Sequence, residues 1–287
     1  MTYSIAARDP ATGELGVGVQ THQPCVGAIV PWVKAGAGAI ATQSFANMAF
    51  GPQGLALLEN GLNAAGALTA LLAADEMPGV RQVAVLAPDG PPAVHTGEKC
   101  IPYAGHHVGE HYSVQANMML HDTVPAAMAA AFEGADGPLA IRILRVLEAA
   151  QSEGGDIRGS QSAAILVRAS GPVSSTWDLR IDNDPAPLAR LRVLVNARMA
   201  GLRIGANDGT GVDAMLAGYE AAHALHPWDE QTFWFAVSGL SAAAGEAERA
   251  AALLAPLFER APQWLELLHR LEVPGAAALK GHFARSS

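Results

Sequence analysis

The stretch MTYSIAARDPATGELGVGVQT, residues 1–21, decides the fold. Tyr3, Ile5 and Ala7 alternate along the first run, and Leu15, Val17 and Val19 repeat the pattern in the second. A period of two puts one set of side chains on one face of a sheet. Between the runs lies DPATGE, in which Asp9-Pro10 and Gly13 suit a turn. The segment therefore reads as a β-hairpin, and the chain opens with antiparallel strands. It also holds a chemical question. Thr2 is small, and an initiator methionine is usually removed ahead of a small residue. Removal leaves Thr2 with a free α-amine beside its own hydroxyl, a base next to a nucleophile. An α-amine titrates at about 7.7–8.0, suited to accepting a proton near neutral pH. Against this stands the plain reading that threonine is simply a favoured strand residue.

Outward from the hairpin, VGAIVPWVKAGAGAIATQSF (26–45) predicts two more strands broken near Gly36. Pro52 opens an expected helix ending at Gly61, and Asn63 caps a second one carrying Leu68, Leu71 and Leu72. VRQVAVLAPDG returns to strand, whereas 93–121 is rich in Gly and His and reads as irregular. VPAAMAAAFE and DGPLAIRILRVLEAAQSEGG predict two helices. The second has Asp136 as cap, Pro138 in its first turn and Gly154-Gly155 after its end. SQSAAILVRA and WDLRID read as strands, and 186–200 as a helix. Strand groups separated by helix pairs point to two sheets covered by helices, an α+β arrangement, and not to a Rossmann alternation.

From about residue 205 the texture changes. GANDGTG reads as a linker, which divides a domain at 1–207 from a helical region at 208–287. Trp234, Gly245, Ala250, Leu254 and Pro262 stand at the spacings of one tetratricopeptide-like repeat, or of a helical hairpin that matches by chance. The helical region also holds Trp228, Trp234 and Trp264, three of the five tryptophans. An apolar, Trp-rich appendage left open forms a large exposed patch, which favours a homodimer.

Composition narrows the function classes. Half of the 287 residues are hydrophobic, which excludes a disordered chain, and no run approaches a membrane span. The formal charge of −9, without a Lys/Arg block, argues against nucleic-acid binding. The start lacks the basic and apolar regions of a signal peptide, and two cysteines are too few for a disulfide framework. A cytoplasmic protein is expected, with Cys25 and Cys100 reduced.

The hairpin, GAGAIATQS (36–44), RQVAVLAPDG (81–90), HTGEKC (95–100), YSVQANMM (112–119), GGDIRGSQSAAILV (154–167) and DLRIDND (178–184) follow one another in an order that resembles a bacterial family, DUF1028. That family is known as a domain of unknown function with an Ntn-hydrolase-like fold. The resemblance covers about residues 2–205 and implies a four-layer αββα sandwich. The region beyond is similar to the helical extension of longer members, described as peptidoglycan-binding-like. Ntn hydrolases cleave amide bonds with an N-terminal Thr, Ser or Cys, and Thr2 fits by position. In proteasome-like members a lysine at a similar distance along the chain tunes the nucleophile, and Lys34 corresponds. A nearby cation lowers the pKa of the amine. Lys34 is otherwise a strand-end lysine with its head in water.

Further candidates follow from the residues themselves. Gln43, Ser44 and Asn47, with Gln115 and Asn117, supply amides and a hydroxyl able to donate to an oxyanion or to bind substrate, or simply to cap loops. Asp156, Arg158 and Gln161 lie in one loop. Arg158 either clamps a substrate carboxylate or pairs with Asp156 to shape the turn. Asp184 reads as a helix cap, and Asp182 has no such local task. In HHVGEH (106–111), His107, Glu110 and His111 match an inverted zinc-protease pattern, H-x-x-E-H. That pattern works on a helix, which Gly105 and Gly109 oppose.

The leading expectation is an amidohydrolase of small C–N substrates, amides, ureido compounds or imides, with Thr2 as nucleophile and no cofactor or metal. A non-catalytic ligand-binding or assembly protein on the same scaffold is the second. A metal-dependent hydrolase using His106–His111 is the third.

Overall fold

The computed structural model describes residues 2–169, 176–205 and 211–283. The chain forms two compact units, Met1–Val195 and Asn196–Ser287. The boundary expected between 207 and 208 lies outside the described residues. The units divide earlier, inside a helix that runs Pro187–Gly205.

The first unit is built on the predicted hairpin. Strands β1 (Thr2–Asp9) and β2 (Glu14–Thr21) pair antiparallel in the register Thr2 to Thr21. Gly13 turns the chain at φ 72°, and its N–H donates to Asp9 O. The other strands are β3 (Pro31–Lys34), β4 (Gly38–Ser44), β5 (Arg81–Leu86), β6 (Ala93–Thr96), β7 (Gly105–Val108), β8 (Tyr112–Asn117), β9 (Ser162–Arg168) and β10 (Trp177–Ile181). One sheet has the order β10-β9-β2-β1-β8-β7, the other β3-β4-β5-β6. All the pairs are antiparallel.

Alternation along each strand decides the packing. Leu15, Val17 and Val19 of β2 meet Ala39 and Ala41 of β4 and Ala84 and Leu86 of β5 in one buried cluster, so the two sheets face each other. On the opposite face of the smaller sheet, Ile40, Val83 and Val85 pack with α1 (Phe50–Glu59) and α2 (Ala64–Ala73). On the opposite face of the larger sheet, the Tyr3 hydroxyl donates to Gln151 of α4 (Leu139–Ser152). Tyr112 lies against Phe132 of α3 (Val124–Glu133), ring centroids 4.6 Å apart. Helix α4 comes so close that a Cβ on Gly18 would stand 2.2 Å from Ile143. Each large apolar side chain buried this way contributes about 1.5–3 kcal/mol.

Three local expectations are corrected. The stretch 93–121 is not irregular throughout: it contains β6, β7 and β8. Helix α1 begins at Phe50, ahead of Pro52, because first-turn N–H groups are unpaired anyway and a proline there removes nothing. The residue before the first helical turn of α4 is Pro138 and not Asp136. Asn63 does cap α2, accepting from Gly66 N–H at 2.8 Å.

The second unit is helical. Helix α5 (Pro187–Gly205) leads towards it, and α6 (Val212–Leu225), α7 (Asp229–Trp234), a π-helical segment (Phe235–Ser241), α8 (Ala247–Arg260), α9 (Gln263–Arg270) and α10 (Pro274–Lys280) follow. It has its own core, with Phe233, Leu240, Leu254, Leu268 and Leu279 fully buried. Gly245, at φ 70°, turns the chain into α8, whose Ala250 and Leu254 face inward. Among the described residues no helix is long and apolar enough to cross a membrane.

Candidate functional site

Thr2 opens the central strand β1, between Thr21 of β2 and Asn117 of β8. It is buried, and its hydroxyl donates to the Thr21 hydroxyl at 3.2 Å. Its carbonyl accepts from Gln43 Nε2 at 3.3 Å and from Asn117 Nδ2 at 3.4 Å. Thr2 and Ser4 therefore point toward the smaller sheet, into a gap lined there by Gln43 and Gln82.

That gap is filled by a hydrogen-bonded network in which Ser4, Gln43, Gln82, Gln115 and Asn117 are all buried. Gln115 Nε2 donates to Ser4 Oγ, and Ser4 donates to Gln43 Oε1, both at 2.6 Å. Gln43 Nε2 and Asn117 Nδ2 both donate to Gln82 Oε1, at 2.7 and 2.8 Å. Gln82 Nε2 in turn donates to Ala116 O and to Thr96 Oγ, each at 2.9 Å. The Thr96 hydroxyl also shares a hydrogen bond with His106 Nδ1, 2.9 Å away. Burial and the neighbouring His95 and His107 charges hold the His106 pKa below the ordinary imidazole value.

The candidate residues separate on this geometry. Gln43, Gln115 and Asn117 are brought to Thr2, but as ties between the sheets: the two hydrogens of Gln43 Nε2 face three acceptors, Thr2 O, Gln82 Oε1 and Gln115 O. Ser44 follows Gln43 in a left-handed conformation, φ 67°, and turns the chain out of β4. Asn47 is not turned to Thr2. Its amide donates to Asp75 Oδ2 at 2.9 Å, inside a cluster with Arg81. The expected neighbourhood of Thr2 and Lys34 is corrected. Lys34 pairs with Gly38 at the opposite end of β4 from Gln43, roughly 17 Å away at about 3.4 Å per residue. It is ion-paired with Glu59 in water. Sequence separation fixed the strand but not the strand end.

Asp156 is buried and lies at the Thr2 end of the sheets, accepting from His22 N–H, one residue beyond Thr21. Arg158 makes two side-chain bonds to it, at 3.2 and 2.9 Å, so the turn-shaping alternative describes the pair. Gln161 donates its backbone N–H to Thr21 O and its amide to Asn183. Asp184 accepts from Ala186 N–H just ahead of α5. Burial, with Asp156 close by, raises the Tyr3 hydroxyl pKa well above its ordinary value. The H-x-x-E-H expectation is corrected: His106 and His107 are successive residues of a strand, with side chains on opposite faces. His107 stacks near Tyr112, while His111 meets Arg8. Among the described residues no three His, Cys, Asp or Glu gather as metal ligands. Cys25 and Cys100 are both free thiols.

Sequence reasoning missed Ser4, Thr21 and Gln82. The signal was present, because Gln82 shares the period-two face of Ala84 and Leu86 in RQVAVL. It also missed the apolar rim. Phe45, Met48, Met77, Ile101, Tyr103, Leu120 and Ile157 are all exposed, and all leave strand ends or loops at the Thr2 end. Backbone bonds tie them together: Phe45 N–H to Val80 O, Met118 N–H to Ile101 O, and Ile157 N–H to Met118 O.

Two facing antiparallel sheets clad in helices, with a threonine at the end of a central strand, define the class of this protein. The family model described as a family of unknown function, DUF1028, matches residues 2–191, and the chain belongs to that family. It is similar to a solved structure, the crystal structure of protein SPO2555 from Silicibacter pomeroyi, whose family model is DUF1028. The two are 28% identical, with a TM-score of 0.63 over 76% of this chain and 90% of that one. None of the curated proteins matches.

Proposed function

We propose that the first unit is an Ntn-type αββα sandwich and that the protein is an N-terminal-nucleophile amidohydrolase of a small C–N substrate. The observation that carries this reading is the position of Thr2: first in the central strand, between Thr21 and Asn117, with its carbonyl fixed by two amides. Once Met1 is removed, the Thr2 α-amine takes the proton of its own hydroxyl as Oγ attacks the substrate carbonyl. The C–N bond then breaks, the proton passes to the leaving nitrogen, and an ester on Thr2 remains for water to cleave. The network holds the Thr2 backbone still, which is a positioning role. Gln43, Gln115 and Asn117 are already engaged by Gln82, Ser4 and backbone carbonyls, so they hold the strand in place and do not serve as oxyanion donors.

A second reading, a non-catalytic binding protein, is favoured by one observation: Thr2 is only 5% exposed, and its hydroxyl is already bonded. Intact-mass measurement of the purified chain separates the two. The amidohydrolase needs a chain lacking Met1. It also needs turnover of some amide, ureido or imide compound that Thr2→Ala abolishes while the mutant stays folded. A retained Met1 overturns it and leaves the binding protein.

A further inference from the structure

We propose that the helical unit carries a binding site of its own for an uncharged, ring-containing small molecule with a hydrogen-bond donor. This goes beyond the Thr2 reading and does not depend on it. The unit contains a cavity of about 740 Å³. Small-molecule sites commonly run to about 300–1,000 Å³ and are mostly apolar with a few placed polar groups. Trp228, Trp234, Phe235 and Met215 supply the apolar wall, and Gln231 an amide. Trp228 and Trp234 are 44% and 38% exposed, indole surface that the unit's own core leaves open. Phe235 is held flat against Tyr219, centroids 4.5 Å apart and 6° between planes, so that wall is set in place before any ligand arrives.

Three further observations point the same way. Phe235, Ser238 and Gly239 of the wall belong to the π-helical segment, and π turns inside helices occur frequently at functional sites. A Cβ on Gly239 would lie 3.1 Å from the Phe235 ring and 3.5 Å from Met215, so glycine keeps the space open. Gln231 anchors its Nε2 on Ala197 O at 3.3 Å, while its Oε1 is enclosed without a hydrogen-bond partner. An enclosed acceptor left unpaired is costly, and a ligand N–H or O–H that reaches the amide removes the cost. Arg198 and Glu230 add one charge of each sign to the lining, so the site asks for no net charge.

The test uses the full chain and N-phenyl-1-naphthylamine, an uncharged two-ring amine that fluoresces in apolar surroundings. Its emission is expected to rise saturably at one probe per chain, with energy transfer from tryptophan that falls in Trp234→Ala. Filling the cavity with Gly201→Leu and Ala243→Leu is expected to weaken binding at least tenfold at unchanged helix content. Gln231→Leu is expected to lose the preference for the amine over 1-benzylnaphthalene, its analogue without the N–H. Non-saturable emission overturns the proposal. So does equal affinity in both Trp234→Ala and the filled variant, or affinity lost in Phe45→Asp, which would put the probe on the apolar rim of the first unit.

Discussion

Gln43 and Gln82, neighbours on strands β4 and β5, share a hydrogen bond of 2.7 Å inside the sheet-to-sheet gap, and Gln82 Oε1 also receives Asn117 from the facing sheet. Gln82→Leu therefore takes the shortest-range acceptor from two buried amides, leaving Gln43 Nε2 its longer bonds to Thr2 O and Gln115 O and Asn117 Nδ2 its longer bond to Thr2 O, and it deprives the buried Ala116 O of a donor. A buried donor left unmade costs about 1–3 kcal/mol. The variant is expected to lose about 2–5 kcal/mol in urea unfolding. Combined with Gln43→Leu, the loss is expected to be smaller than the two single losses together, because the partners share one network. Additive losses would show that the amides act independently.

Gly51→Ala separates local preference from packing. Alanine favours an exposed helix interior over glycine by about 1 kcal/mol. Here a Cβ would sit 2.1 Å from the Trp32 indole, which is held by its own bond to Ile29 O. Overpacking of this kind costs about 1–3 kcal/mol. Net destabilisation is expected, read as a lower melting temperature. A rise would mean that the indole moves aside freely.

His106 gives a pH signature. Its pKa is lowered by burial and by His95 and His107, so the folded chain binds this proton less readily than the unfolded chain. The associated stability is fully present above the unfolded value, about 6.5, and fades as pH falls toward the folded value. Proton NMR should find the His106 midpoint below 6.5. A midpoint above 6.5 contradicts the lowering by burial and by His95 and His107.

The apolar rim bears on assembly. Seven roughly half-exposed apolar side chains, two of them aromatic, stand at this one end of the sheets, the kind of surface that association covers. Asp75–Arg81 and Asp156–Arg158 cancel charge locally, so a second copy of this acidic chain would meet little repulsion there. Light scattering of the full chain is expected to give a dimer, and Phe45→Asp with Ile157→Asp a monomer of unchanged circular dichroism. A wild-type monomer would remove the rim from consideration as a homodimer face.

Much of the fold was legible because alternation is a local signal: β1, β2, β4, β5 and β9 carry it over six to eight residues. Strands β6 and β7, AVHT and GHHV, are four-residue pieces without an apolar face, and pairing alone makes them strands. The site was harder to read. Gln43, Gln115 and Asn117 were visible as polar residues, but whether an amide faces a substrate or another amide depends on the opposite sheet. Lys34 was expected near Thr2 from the resemblance and Asn47 from its place after β4, but the sequence does not show that Lys34 ends its strand away from Gln43 or that the Asn47 amide turns to Asp75.

Ala39, Ala41 and Ala84 give the smaller sheet a smooth patch against Leu15, Val17 and Val19 of the larger one, with few projections to fix the alignment there. The amides at the Thr2 end do fix it, since a shift of one strand position would leave Gln43, Gln82, Gln115 and Asn117 each facing the wrong atom. The network thus works as a combination lock on the alignment of the two sheets. A chain with all four replaced by methionine is expected to remain compact yet lose its single solution, with amide resonances of β4 and β8 broadened by exchange between neighbouring alignments.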